Sequence, residues 1–226
     1  MTLETLNLPP SPPGFRGLHP DLPIKSYHRR LPHWRQKGAT YFVTFRLADS
    51  LPQAKLEQLR QWREQWERTH PEPRSETAWK EFAREHFQLA EGWMDEGHGE
   101  CVFRSHDLAK VMADAVLFFQ NQRYQVACFV VMPNHCHVVV RPDGEWELEN
   151  ILDSWKGFVG HEINRRLDRR ESLWQAESYD RIIRDDEHLF RVVQYIGRNP
   201  RRDELWRRWI HPDWEQFGWG FRDVEG

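Results

Sequence analysis

The chain has 226 residues, 30% of them charged, with a mean hydropathy of −0.82 and a formal net charge of −3. A chain of this length holds one full core plus an insertion more readily than two domains, and no apolar run approaches the roughly 18 residues of a membrane span. Three cysteines, Cys101, Cys128 and Cys136, form neither a CxxC nor an even framework, which points to a reducing cytoplasm.

The first stretch, 1–24, reads as a flexible proline-rich leader without a secretory signal pattern. Basic residues then cluster at 25–37, and Trp34 among them is a candidate for stacking on an unpaired base. Thr40 to Leu47 alternates as a strand with one buried face. Two polar helical segments follow, Ala54 to Thr69 and Thr77 to Met94, inside a block (53–100) with eleven acidic and seven basic side chains. The block reads as an insertion packed on the core domain, with no chemical role assigned to it. Without it the remainder is near +1, with further basic clusters at 165–170 and 198–208. These are either backbone-phosphate patches or solvated helix faces.

Ser105 is placed to cap a helix whose Leu108, Val111, Met112, Ala115, Val116 and Phe119 follow helical spacing. Tyr124 to Val131 reads as a strand that turns at Pro133-Asn134 into a second, carried by "VVMPNHCHVVVRP". Strand alternation sets Cys136, Val138 and Val140 on a core face, and His135, His137, Val139 and Arg141 on the other. Two imidazoles about 7 Å apart along a strand reach one metal ion if a third ligand arrives from elsewhere. An isolated HxH is equally consistent with two surface histidines. A long amphipathic helix (148–167), an extended segment (178–185) and a last helix from Asp186 to Pro200 complete the core domain at 25–210, leaving 211–226 as a tail.

The order is α+β, a ferredoxin-like β-α-β-β-α-β arrangement with an antiparallel sheet, a helical insertion after the first strand and an extra C-terminal helix. Its two crossover helices cover one sheet face, so the histidine face is expected open and accessible to a polymer. On the last helix Tyr195 and Asn199 are four apart, flanked by Arg191 and Arg198. Docked over the histidines, that edge brings a carboxamide oxygen as third ligand and a phenol one turn away. This arrangement suits phosphoryl transfer, with a divalent ion polarising the phosphate and tyrosine attacking it. A half-buried tyrosine and an ordinary helix-end asparagine fit the same spacing.

"VVMPNHCHVVV", "SWKGFVGHEIN", "LWQAESYDRIIRDDEHLFRVVQYIGRNP" and "GATYFVTFRL" resemble segments of the single-tyrosine HUH transposases, in particular the REP-associated branch. The resemblance covers roughly 28–47 and 124–200. It implies a metal site at His135, His137 and Asn199, Tyr195 as nucleophile, and Mg2+ or Mn2+ as the ion. It also implies a single-stranded or hairpin DNA substrate, cleaved to a 5′-phosphotyrosine and a free 3′-hydroxyl without a nucleotide cofactor. By the same analogy a monomer is favoured over a homodimer, with no membrane partner, in a cytoplasmic enzyme that joins the nucleoid when bound to DNA. Candidate DNA contacts are Arg29, Arg30, Trp34, Arg46, Lys156, Arg165, Arg166, Arg191 and Arg198. The chain departs from the family in the cysteine between the histidines, in "RRDELWRR" after Asn199-Pro200, in its tail and in the length of its insertion. Two alternatives stand beside strand cleavage and rejoining: an inactive hairpin-binding module, and a metal-dependent phosphoesterase using the HxH pair.

Overall fold

The computed structural model describes residues 8–222. A short hairpin, β1 (Lys25–His28) with β2 (Pro32–Arg35), precedes the main sheet. That sheet is antiparallel and contains β3 (Tyr41–Arg46), β4 (Tyr124–Val131), β5 (His135–Pro142), β6 (Tyr179–Ile182) and β7 (Arg208–Ile210), in the spatial order β6-β3-β5-β4-β7. Apart from β7 on the edge, this is the ferredoxin-like order, and the fold class is α+β as expected.

Alternation sorts the side chains. Cys136, Val138 and Val140 of β5 join Phe45 of β3 in the main core. The helices α3 (His106–Leu117) and α4 (Leu148–Arg166) close that core with Met112, Val116, Trp155 and Val159. Ser105 stands at the N-cap of α3, but its side chain makes no capping hydrogen bond. Among the described residues no helix is long and apolar enough to cross a membrane.

The opposite sheet face, expected open, is covered. Helix α5 (Asp186–Arg198) sets Leu189, Val192, Val193 and Ile196 against Phe42, Val130 and Val139. Trp214 and Trp219 from the C-terminal segment extend this second layer. The reason lies in the sheet itself: Phe42, Ala127, Val130 and Val139 make this face apolar too, and such a face must be buried. Asp185 accepts a hydrogen bond from His188 N at 2.7 Å and so fixes where α5 begins.

The described part of the expected leader is not loose either. Proline-rich backbone offers carbonyls with few N–H groups to match, and the tail's indoles supply the donors. Trp214 Nε1 donates to Pro13 O at 2.9 Å and Trp219 Nε1 to Pro10 O at 2.7 Å, while Leu18 N donates to Ile183 O at 2.9 Å. Residues 1–7 of the expected leader and 223–226 of the expected tail lie outside the described residues.

The 53–100 block forms two helices, α1 (Gln53–Thr69) and α2 (Glu76–Asp95), that pack through Trp62, Trp66, Trp79 and Phe82. Ala90 and Met94 of α2 pack with Leu51 and Leu56, and Phe87 meets Phe42 of the sheet edge-on at 5.9 Å. The insertion is therefore seated on the second face of the sheet, beside the histidines.

A buried ionic cluster ties the β1–β2 hairpin to β6. His33 Nδ1 is 2.6 Å from Asp180 Oδ1 and its Nε2 3.1 Å from Glu177 Oε1, while Arg35 joins Asp180 to Glu149. Burial works to lower the His33 pKa, but the hydrogen bonds to Asp180 and Glu177 prevail and hold it at about 9, against an ordinary 6.5. A raised folded-state pKa contributes stability that is fully present below the unfolded value and disappears as pH rises through the folded one. We therefore expect thermal stability to fall between about pH 6.5 and 9, each kcal/mol lost lowering Tm by about 2–4 °C. A His33→Gln variant should show a flatter profile over that window. Parallel melting curves for the two proteins would dismiss this account of the clamp.

Candidate active site

Each histidine of β5 is oriented by its Nδ1. His135 Nδ1 is 2.8 Å from Asn134 Oδ1 and therefore donates to it, leaving Nε2 with a free lone pair. His137 Nδ1 lies 2.7 Å from Thr44 Oγ1 on the adjacent strand, where β3 and β5 pair these two residues. Such contacts hold the ring direction, as the outer partners of metal-bound histidines do. Asn134 does more than form the turn: its Nδ2 donates to Met94 O at 3.2 Å and His98 O at 3.0 Å, tying the histidine strand to the end of the insertion.

The rings are 4.8 Å apart between centroids and are 1% and 0% exposed. Burial depresses both pKa values, to about 3 for His137. For His135 burial and the neighbouring His137 act downward, against the nearby Asn199 carboxamide. Both imidazoles are thus neutral at physiological pH, the form in which they ligate metals.

Helix α5 places Tyr195 and Asn199 at this pair within a single chain. Tyr195 Oη is 3.1 Å from His137 Nε2, and the two rings meet at 5.2 Å and 70°. Its ring also packs edge-on against Phe42 at 6.0 Å, so the phenol is fixed by apolar contact on one side and the imidazole on the other. The sequence places these four residues together only conditionally; the docking of α5 brings them into contact.

The insertion brings a carboxylate that the sequence reading did not include. Glu91 Oε1 of α2 lies 3.2 Å from His137 Nε2, and Asp95 Oδ1 lies 3.9 Å from His135 Nε2. Burial raises Glu91 to about 8, and burial with Glu91 raises Asp95 to about 6. A signal was available: Glu91 shares the helical spacing of Phe87, Ala90 and Met94, so a carboxylate sits on the buried stripe of α2.

Among the described residues, the buried acceptors His135 Nε2, Asn199 Oδ1 and Glu91 Oε1 beside the histidines find no hydrogen-bond partner. Buried polar atoms without partners are uncommon, and a bound cation is one of the few things that satisfies several acceptors together. Among the described residues no group of three or more His, Cys, Asp and Glu side chains is arranged to hold a metal ion. A cation at the pair would accordingly draw on the Asn199 oxygen. The donor set fits Mn2+ readily and Mg2+ less well, since two of its members are imidazoles.

The candidate DNA contacts divide. Arg29 and Arg30 are exposed on the hairpin, and Arg198 is exposed on α5. Arg191 is also exposed but pairs with Glu187, and both Arg165 and Arg166 pair with Glu162. Trp34 is partly buried and packs against the main core. Lys156 Nζ donates to Gln175 O at 2.8 Å and Ala176 O at 3.1 Å, holding the strand that leads to β6. Arg46 lies opposite His135 across the ladder and is largely buried. In the other basic stretches, Arg35 belongs to the ionic cluster and Arg207 is buried, donating to Phe103 O at 2.6 Å.

The family model described as "Transposase IS200 like" matches residues 102–199, the span that includes both histidines, Tyr195 and Asn199. Residues 102–199 are thus similar to the IS200-like transposases. The expected kinship with the single-tyrosine transposases is thereby met over this segment. No curated protein matches the chain. Among solved structures, the chain is similar to one described as a REP-associated tyrosine transposase bound to a REP hairpin, at 17% identity and a TM-score of 0.42, covering 78% of this chain and 72% of that one. The matched segment supplies β5 and α5 to the site, while α2, outside it, contributes Glu91.

Proposed function

We propose that this protein is a transposase that cleaves and rejoins single-stranded DNA at hairpin-forming sequences through Tyr195, with a divalent cation at His135, His137 and Asn199. The observation that carries the reading is the phenol held 3.1 Å from His137 Nε2 beside the unpartnered Asn199 and His135 acceptors. Mg2+ or Mn2+ bound there would polarise the scissile phosphate and stabilise charge on its oxygens. Tyr195 Oη then bonds to phosphorus as the P–O3′ bond breaks; the phenolic proton leaves and the 3′ oxygen takes one up. The products are a 5′-phosphotyrosine and a free 3′-hydroxyl. Reversal by another 3′-hydroxyl joins strands without nucleotide hydrolysis. Phe42 and His137 keep the phenol on this edge of α5, and holding a nucleophile in place is a large part of such catalysis.

A second reading, a hairpin-binding module without cleavage activity, draws on the burial of both imidazoles beneath the second layer. The deciding experiment is incubation with end-labelled hairpin DNA and Mn2+, followed by denaturing electrophoresis and peptide mapping. A denaturation-resistant adduct on Tyr195 is expected. Hairpin binding without any adduct, across Mg2+, Mn2+ and a range of hairpin sequences, would leave the binding module standing instead.

A further inference from the structure

We propose that the cavity between the insertion and the sheet, beside His135, receives one nucleotide of single-stranded DNA, with its phosphate on Arg46 and its base against Phe87 and Tyr179. This rests on the strand-cleavage reading and locates the part of the substrate next to the reacting phosphate. The cavity encloses about 510 Å3, within the roughly 300–1,000 Å3 of small-ligand sites. Thr44, which holds His137 Nδ1 at 2.7 Å, is part of its wall, so the cavity and the histidine pair adjoin.

Arg46 is what makes the cavity selective for an anion. It ends β3 opposite His135, on the face shared with Thr44, and its Nη1 donates to Ser50 Oγ at 2.9 Å. Among the described residues no carboxylate forms an ion pair with it. Of the other charges of the wall, Arg60 pairs with Glu57, Arg63 with Glu67, and Glu177 with His33 and Leu31 N, while Arg30 is exposed to solvent. Burial draws the Arg46 pKa down to about 10, so the group is still cationic at neutral pH. A largely buried cation without a counter-charge is costly, and leaving it so is explained if an anion completes it. A phosphodiester offers the paired oxygens that a guanidinium fork matches. Phe87 and Tyr179, stacked at 4.1 Å and 22°, add an aromatic surface from α2 and β6 on the same cavity, and bases of any sequence pack on such surfaces.

The test uses the full chain carrying Tyr195→Phe, so that cleavage does not intervene, and a fluorescein-labelled twelve-residue oligothymidylate as probe. Affinity is read by anisotropy over a salt series. Arg46→Gln should weaken binding about tenfold and reduce the slope of log K against log[salt] by about 0.7, the value for one phosphate contact to a single strand. Arg46→Lys should keep most of the slope. Thermal melting without DNA verifies that each variant is folded. In the parent chain, amide exchange in α1 and α2 should slow when the oligonucleotide binds. Affinity and slope unchanged in folded Arg46→Gln, or exchange unaltered in both helices of the parent, overturns the cavity assignment alone. A parent chain that fails to bind the oligonucleotide overturns the single-strand reading and the cavity with it.

Discussion

Replacing Tyr195 with phenylalanine should abolish the covalent DNA adduct, lowering its yield by at least about a thousandfold, the scale seen when a nucleophile is removed. Hairpin affinity should stay within about twofold, because phosphate contacts elsewhere dominate it. The loss of one partly buried hydrogen bond to His137 should cost about 1 kcal/mol of stability, too little to unfold the chain. The variant thus separates chemistry from folding. It also separates strand transfer from a phosphoesterase built on the histidine pair, in which a metal-activated water would attack and Tyr195 would be dispensable. Turnover of a small phosphodiester by Tyr195→Phe at the parent rate would favour that hydrolase and end the phosphotyrosine scheme.

The second large effect concerns the cation. A ligand present at 100 times its Kd stabilises the folded state by about 2.7 kcal/mol, which for a domain of this size raises Tm by roughly 5–11 °C. We expect Mn2+ to produce such a rise in the parent protein and almost none in His137→Ala, with Asn199→Ala in between. The comparison is made on the increment with and without Mn2+. His137→Ala also removes a ring that is 0% exposed and bonded to Thr44, and so lowers the metal-free Tm by itself. An equal Mn2+ increment in the parent and in His137→Ala would place any metal binding elsewhere. Because the readout is melting, it is independent of whether a DNA substrate has been found.

The helical insertion changes how the site must work. Its α2 brings Glu91 to His137 and, through Met94 O, bonds to Asn134 next to His135. A polymer cannot reach imidazoles that are 1% and 0% exposed without some displacement of the groups over them. The insertion and the edge of α5 bearing Tyr195 and Asn199 are the elements that border the pair.

How much of this was legible beforehand depends on the range of the interaction concerned. Strand alternation and helical spacing are local properties of the backbone, so the core face of Cys136, Val138 and Val140 and the apolar stripe of α5 could be read from the residues alone. The pairing of Arg165 and Arg166 with Glu162 was likewise readable, since it spans only one helical turn. Other pairings were not. Arg35 and Trp34 lie in one basic stretch, yet the first is neutralised by Asp180 and Glu149 and the second is packed on the main core. No local pattern announces which carboxylate a folded chain will bring to a given cation.

The order of elements, the face on which the two histidines stand and the helix edge that carries the phenol and the carboxamide follow from repeats of two and 3.6 residues, and so are written in the chain itself. Packing between distant segments sets the rest: the second sheet face is covered, Tyr195 meets His137, Glu91 joins them, and Arg46 has no counter-charge among the described residues. Those outcomes depend on how apolar surfaces far apart in the chain find each other, and charges and hydrogen-bonding groups are placed as a consequence of that packing.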